Sequence, residues 1–210
     1  MKTYKTLTTI ALAGIVVVLG ACASNGGQSD KVSRDKAIAL MKRDFKATGI
    51  AGLERLDEDQ VQATCNHSGN NPPSDELIRL QQEQLATIKL PADGNLMGDW
   101  KNGEKIAQNG RGFTWRDKPG NAPGGGCYNC HQIGPNEASF GSIGTSLYQF
   151  GKIRGYTAEM QKYVYSKIYN AKAFNLCSEM PRFGYVGALS EAQIKDLVAL
   201  LMDPESEVNK

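Results

Sequence analysis

The chain has 210 residues, with 24 Lys and Arg against 22 Asp and Glu. Lys2 and Lys5 carry the surplus of two, so the rest is charge-balanced and offers no basic stripe of the kind nucleic acid requires. Two histidines and five cysteines confine metal or redox chemistry to a few positions.

Residues 1–21 read as a processing segment and not as fold: Lys2 and Lys5 precede an apolar stretch, Ile10 to Leu19, too short and wrongly flanked for an ordinary spanning helix. Leu19-Gly20-Ala21-Cys22 resembles a bacterial lipobox, which implies cleavage before Cys22 and a lipid on its thiol. Ala21-Cys22-Ala23 also fits signal-peptidase cleavage after Ala23, but a cysteine inside a signal region is otherwise hard to explain. On either reading the chain is exported to the periplasm, and on the first it is anchored to a membrane.

Residues 22–95 read as a tether followed by a helical N-terminal extension. Asn25 to Ser29 is short, polar and Gly-containing. Ser33 is placed to cap a helix carrying Ala37, Leu40, Met41 and Phe45 on one face. Asp57 with Gln60 has the pattern of a capping box and predicts a second helix. Asn66 to Ser74, with Pro72-Pro73, predicts a loop in which His67 is solvated. Ser74 then caps a helix with Leu77, Leu80, Leu85 and Ile88 inward, stopped by Pro91.

From residue 96 to 204 the pattern predicts one further domain, with 205–210 as a tail. Asp99 opens a helix to about Gln108, packing through Trp100, Ile106 and Ala107, and a Gly- and charge-rich loop runs to Gly126. Thr157 begins a helix in which Met160, Val164 and Ile168 recur at helical spacing. Ser190, with Gln193 at the capping-box position, opens a last helix whose stripe is Ile194, Leu197, Val198 and Leu201, ending before Pro204. No alternating strand of useful length occurs, so the expected class is all-α.

Between the first two of these helices lies Cys127-Tyr128-Asn129-Cys130-His131, the Cys-x-x-Cys-His pattern of covalent haem attachment. Cys127 and Cys130 would form thioethers with the haem vinyl groups, and His131 would be the proximal iron ligand. A thioredoxin-like pair would need an apolar strand leading into it, and here Gly124, Gly125 and Gly126 do. A zinc site would need more donors from scattered Cys65, His67 or Cys177.

The candidate for the second axial position is Met180, since Glu179-Met180-Pro181-Arg182-Phe183-Gly184 is non-helical and Pro181 fixes the backbone beside the sulfur. Met160 and Met202 fall on helices. The alternatives are a core methionine with an open site, or a Cys177 thiolate. A Cys65–Cys177 disulfide, permitted in an oxidising compartment, would exclude that thiolate, and two separate buried thiols remain its alternative.

These residues resemble class I cytochromes c. Gly98-Asp99-x-x-x-Gly103-x-x-Ile106 is similar to that family's N-terminal helix, and the haem motif, Met180-Pro181 and the helix from Ser190 follow in its order. Gly144-Thr145-Ser146-Leu147 stands where relatives carry Gly-Pro-x-Leu, whose proline carbonyl accepts the histidine Nδ1 proton; here Thr145 replaces the proline. More narrowly, the chain resembles the SoxX family, monohaem subunits of the SoxAX thiosulfate-oxidising complex. Gly112-Phe113-Thr114-Trp115, Gly124 to His131, Ser139-Phe140-Gly141, Gly151 to Gly155, Lys167 to Ala171 and Met180 to Gly184 carry that resemblance.

The resemblance implies a class I cytochrome c fold around one covalent haem c, with Cys127 and Cys130 as anchors and His131 and Met180 as axial ligands. It implies a SoxA-like cytochrome partner whose haem reacts with thiosulfate, and a SoxYZ carrier whose cysteine receives the sulfur. It also implies a small periplasmic cytochrome c as electron acceptor. On that reading the chain is the relay subunit of a haem-dependent L-cysteine S-thiosulfotransferase.

Overall fold

The computed structural model describes residues 26–120 and 123–210. The expected leader, the acylation site Cys22 and Asn25 lie outside them. Among the described residues the protein is helical, with one isolated bridge between Thr48 and Ala51 and no strand. The chain is thus all-α, and no described helix is long and apolar enough to cross a membrane. Two compact units divide at Lys46 and Ala47.

The first unit contributes helix α1 (Gly26–Asp44). It takes in Gly26 to Ser29, expected as tether, and runs through Ser33, expected as its cap. No proline or glycine interrupts Gln28 to Asp44, and a serine caps only where the backbone turns extended. Leu40, Met41 and Phe45 are exposed.

The second unit opens with a 3-10 turn, Leu53–Leu56, then α2 (Gln60–His67) and α3 (Ser74–Ala86). Helix α2 starts two residues later than expected: Asp57 ends the preceding turn, and the reciprocal capping box is Asp59 with Gln62. His67 is the last residue of α2 and not part of a loop; its Nδ1 lies 2.6 Å from the Ala63 carbonyl. Ser74 is already helical, and the Pro73 carbonyl accepts from Leu77 N–H at 2.8 Å, so Pro73 occupies the cap position. The buried stripe of α3 is Leu80 and Gln84, while Leu85 is exposed. Val61, Cys65, Leu80 and Leu176 form a satellite core.

The main core is built by α4 (Trp100–Gln108), α5 (Phe150–Arg154), α6 (Ala158–Tyr169) and α7 (Glu191–Met202). Asp99 caps α4, Thr157 caps α6, and Ser190 with Gln193 forms the capping box of α7. Helices α4 and α7 cross at Gly103, where a Cβ would collide with the Asp196 carbonyl and Leu200. The entry to α4 is tied to the same helix: Gly98 N–H donates to the Lys195 carbonyl at 3.0 Å and Asp99 N–H to Asp196 at 2.8 Å. Ile106, Ala107, Val164, Ile168, Ile194 and Leu197 are among the buried side chains that result. The last six residues, expected as a tail, contribute Val208 to this core, while Glu205, Glu207 and Lys210 are exposed. Val208 is buried, and its carbonyl accepts from Gln149 N–H at 2.9 Å.

Candidate functional site

The approach to the cysteine motif lies against the end of α4. Gly124 N–H donates to the Arg111 carbonyl at 2.9 Å, Gly125 N–H to Ile106 at 2.8 Å and Gly126 N–H to Asn109 at 2.9 Å. A Cβ on Gly124 would strike the Asn109 carbonyl, and Gly126 has φ +56°, a left-handed conformation that glycine adopts without cost. Three glycines in a row therefore let the chain hug the helix and turn into Cys127.

Cys127–Asn129 is a 3-10 turn, continued by Cys130 N–H and His131 N–H, which donate to the Cys127 carbonyl at 3.1 and 2.9 Å. This winding gathers Cys127, Cys130 and His131 on one tight coil. Tyr128 is buried beneath it, its hydroxyl donating to Glu104 at 3.0 Å and accepting from Gly134 N–H at 3.0 Å. Burial, reinforced by the Glu104 charge, pushes the Tyr128 phenol well above its ordinary range. Cys127 and Cys130 are not bonded to each other, and burial pushes the Cys127 thiol up to about 12.

His131 Nδ1 lies 2.7 Å from the Thr145 carbonyl. A carbonyl only accepts, so Nδ1 carries the proton and a neutral ring keeps its lone pair on Nε2, the form required of a metal ligand. Thr145, which stands in place of the proline of the resembled motif, thus supplies this contact through its own carbonyl. Gly144 lies against the imidazole so closely that a Cβ there would collide with three ring atoms.

His131 and Met180 line the same cavity, of about 440 Å³, together with Leu147, Phe150, Val164 and Leu201. That volume lies within the range of small-molecule and cofactor sites. Arg154 and Lys167 are the cations on this largely apolar wall. Burial lowers the Lys167 ammonium, which lies over the Phe174 ring at 5.5 Å. Two thiols on the tight coil that ends at His131, and a histidine and a methionine that share one cavity, form a donor set that fits a covalently attached haem; Cys127 and Cys130 themselves do not line that cavity.

Cys65 and Cys177 are bonded to each other. A Cys177 thiolate is therefore unavailable to the cavity, and neither cysteine can complete a zinc set with Cys127 and Cys130. Among the described residues no group of three or more His, Cys, Asp and Glu gathers as a metal cluster. His67 is exposed on α2 and lines a different cavity, with Gln60 and Glu76.

Sequence reasoning missed the residues that hold the Met180 loop. Arg182, buried, donates to Asp59 and, at 3.1 Å, to Gln84 Oε1, and stacks on the Tyr185 ring at 4.5 Å. Asn170, fully buried at the end of α6, donates to Gln84 Oε1 at 3.1 Å and to Thr87 Oγ1 at 2.9 Å. Burial raises the Asp59 carboxyl, but the Gln62 N–H, Arg182 and Lys172 outweigh it and hold it below the usual range. Burial lowers the Lys172 ammonium, with Arg182 adding to the effect. Nothing local in sequence indicates that Asp59 has a partner 123 positions away.

No protein-family model matches the chain. A protein of Aquifex aeolicus (strain VF5), named an uncharacterized lipoprotein, is 34% identical over 199 residues, spanning 94% of this chain and 94% of its own. The chain belongs to the family of that lipoprotein.

Proposed function

We propose that the chain is a membrane-tethered, monohaem c-type cytochrome of class I fold that relays electrons. The observation that carries this reading is the shared cavity of His131 and Met180, with the Cys127 and Cys130 thiols on the coil leading into it. Bound haem supplies one-electron chemistry at its iron. The protein's part is to hold Cys127 and Cys130 for thioethers, to fix His131 through Thr145 and to present Met180 on the same cavity. Arg154 and Lys167 provide positive charge for the cofactor's carboxylates, and the apolar wall keeps water away. A Met/His pair leaves no iron position for substrate, which suits relay over oxygen activation.

Lipid attachment at Cys22 is supported by the lipobox and by the name of the Aquifex relative. Within this reading the resemblance to SoxX supports a place in a SoxAX complex. The partner's SoxA-like haem would react with thiosulfate and the SoxYZ cysteine, and this chain would pass electrons, one at a time, to a periplasmic cytochrome c.

The test has two parts. A pyridine haemochrome measured on the denatured, matured protein should show haem retained on the polypeptide, and Met180→Ala should abolish a sulfur-to-iron band near about 700 nm and lower the potential. Haem that washes out, or a spectrum indifferent to Met180→Ala, refutes the site. Affinity purification from thiosulfate-grown cells should bring down a second haem protein. A chain that comes alone and reduces an oxidase directly is a free-standing carrier and not the complex subunit.

A further inference from the structure

Met180 sits in a loop with little structure of its own. Its N–H donates to Ser178 Oγ at 3.2 Å, and beyond Pro181 the loop is tied to the main core where Gly184 and Tyr185 N–H donate to the Tyr169 carbonyl, both at 3.1 Å. The other ties go to α2 and α3. Three residues before Met180, Cys177 is bonded to Cys65 of α2, and Leu176 is buried against Val61 and Leu80. Two residues after it, Arg182 is held by Asp59 at the cap of α2 and by Gln84 of α3. The methionine is thus gripped on both sides by a segment remote in sequence.

We propose that α2 and α3 form a clamp on the distal loop, in which Asp59 and Gln84 are positioning residues that, through Arg182, hold Met180 on the cavity it shares with His131. The inference rests on the His131 and Met180 ligation proposed above and adds to it the purpose of the N-terminal extension. A guanidinium as buried as Arg182 needs its charge met. With Asp59 neutralised, the Gln84 carbonyl and the Tyr185 ring are what remain to it among the described residues. Water then becomes the better partner, and movement of Arg182 outwards takes Pro181 and Met180 with it.

Asp59→Asn separates this role from folding, because asparagine retains the side-chain oxygen that caps α2 and leaves the disulfide untouched. Gln84→Leu removes the acceptor shared by Arg182 and Asn170 at similar volume. Asp59→Glu restores the charge, and Glu83→Gln, whose partner Arg79 is exposed on α3, serves as control. The full-length haem-loaded proteins are titrated with imidazole, which occupies the iron only when methionine leaves. The about 700 nm band, the midpoint potential and the urea midpoint are followed in parallel.

Imidazole affinity should rise about tenfold in Asp59→Asn and in Gln84→Leu, because apparent affinity scales with the fraction of open molecules. The potential should fall with it, while Asp59→Glu and Glu83→Gln stay near the parent protein. Wild-type imidazole affinity in both clamp variants, even with a lowered urea midpoint, overturns the proposal and leaves a merely structural buttress. An equal rise in Glu83→Gln overturns it as general loosening. A spectrum unchanged by Met180→Ala removes the ligand and both readings together, whereas a changed one with indifferent clamp variants removes the clamp alone.

Discussion

Replacing Cys65 and Cys177 together by alanine should cost the fold about 5 kcal/mol. The bond closes a loop across a sequence separation of 112, and the chain-entropy relation for a loop of that length gives about 16 cal/mol/K, or about 4.8 kcal/mol at 25 °C. Structure retained in the unfolded chain reduces that figure, while the space left beside Val61 and Leu80 adds to it. A loss of this size is at least a third of the stability of an ordinary domain. Equilibrium urea unfolding followed by far-ultraviolet circular dichroism measures it. The same data should give a larger denaturant slope in the variant, whose unfolded chain exposes more surface. A loss under about 2 kcal/mol with an unchanged slope would refute the reasoning, since the bridge would then neither constrain the unfolded chain nor hold α2 to the distal loop.

The folded state holds the Asp59 carboxyl below its usual range, so its contribution is complete above about pH 4 and is lost as pH falls through the folded-state value. Acid unfolding of Asp59→Asn should therefore be less steep in that window, and an identical profile would dismiss the Asp59–Arg182 pair as a stabilising contact. Gly144→Ala places a methyl group where the His131 ring lies and should lower the yield of haem-loaded protein several-fold; a normal yield would show that the ring has room to move. Ser190→Ala removes the side-chain acceptor for Gln193 N–H at 3.3 Å and should lower stability by about 1 kcal/mol, read from the urea midpoint.

Where the local signal had no competitor, the sequence was a good guide. Asp99 and Ser190 each precede a clear apolar stripe, and α4 and α7 begin as expected. The capping box expected at Asp57 and Gln60 forms instead two residues on, at Asp59 and Gln62. The later start leaves Asp59 extended, with its carboxylate shared by the Gln62 N–H and Arg182. Hydrophobic periodicity placed Leu85 inside α3, but the buried position is Gln84, whose oxygen satisfies Asn170 and Arg182. A polar core residue is invisible to a search for apolar stripes. The same limit applies at the candidate site: the coil of Cys127 to His131 is written in five consecutive residues, whereas the hold on Met180 depends on partners about a hundred positions apart.

The span of the disulfide also bears on the order in which the protein is made. On the proposed export, Cys65 would emerge before Cys127 and Cys130, with Cys177 after them, so the native bond joins the first and last of these four thiols in chain order. Four free thiols allow three complete pairings, every one of which consumes Cys127 and Cys130 in a disulfide: two by wrong bridges to Cys65 and Cys177, the third by a bridge within the motif. Thioether formation at Cys127 and Cys130 before Cys177 appears would leave one pairing available. It would also act before burial closes over the Cys127 thiol. Haem attachment would then work as the proofreading step of oxidative folding, and cells deficient in it should accumulate chains bridged within the motif.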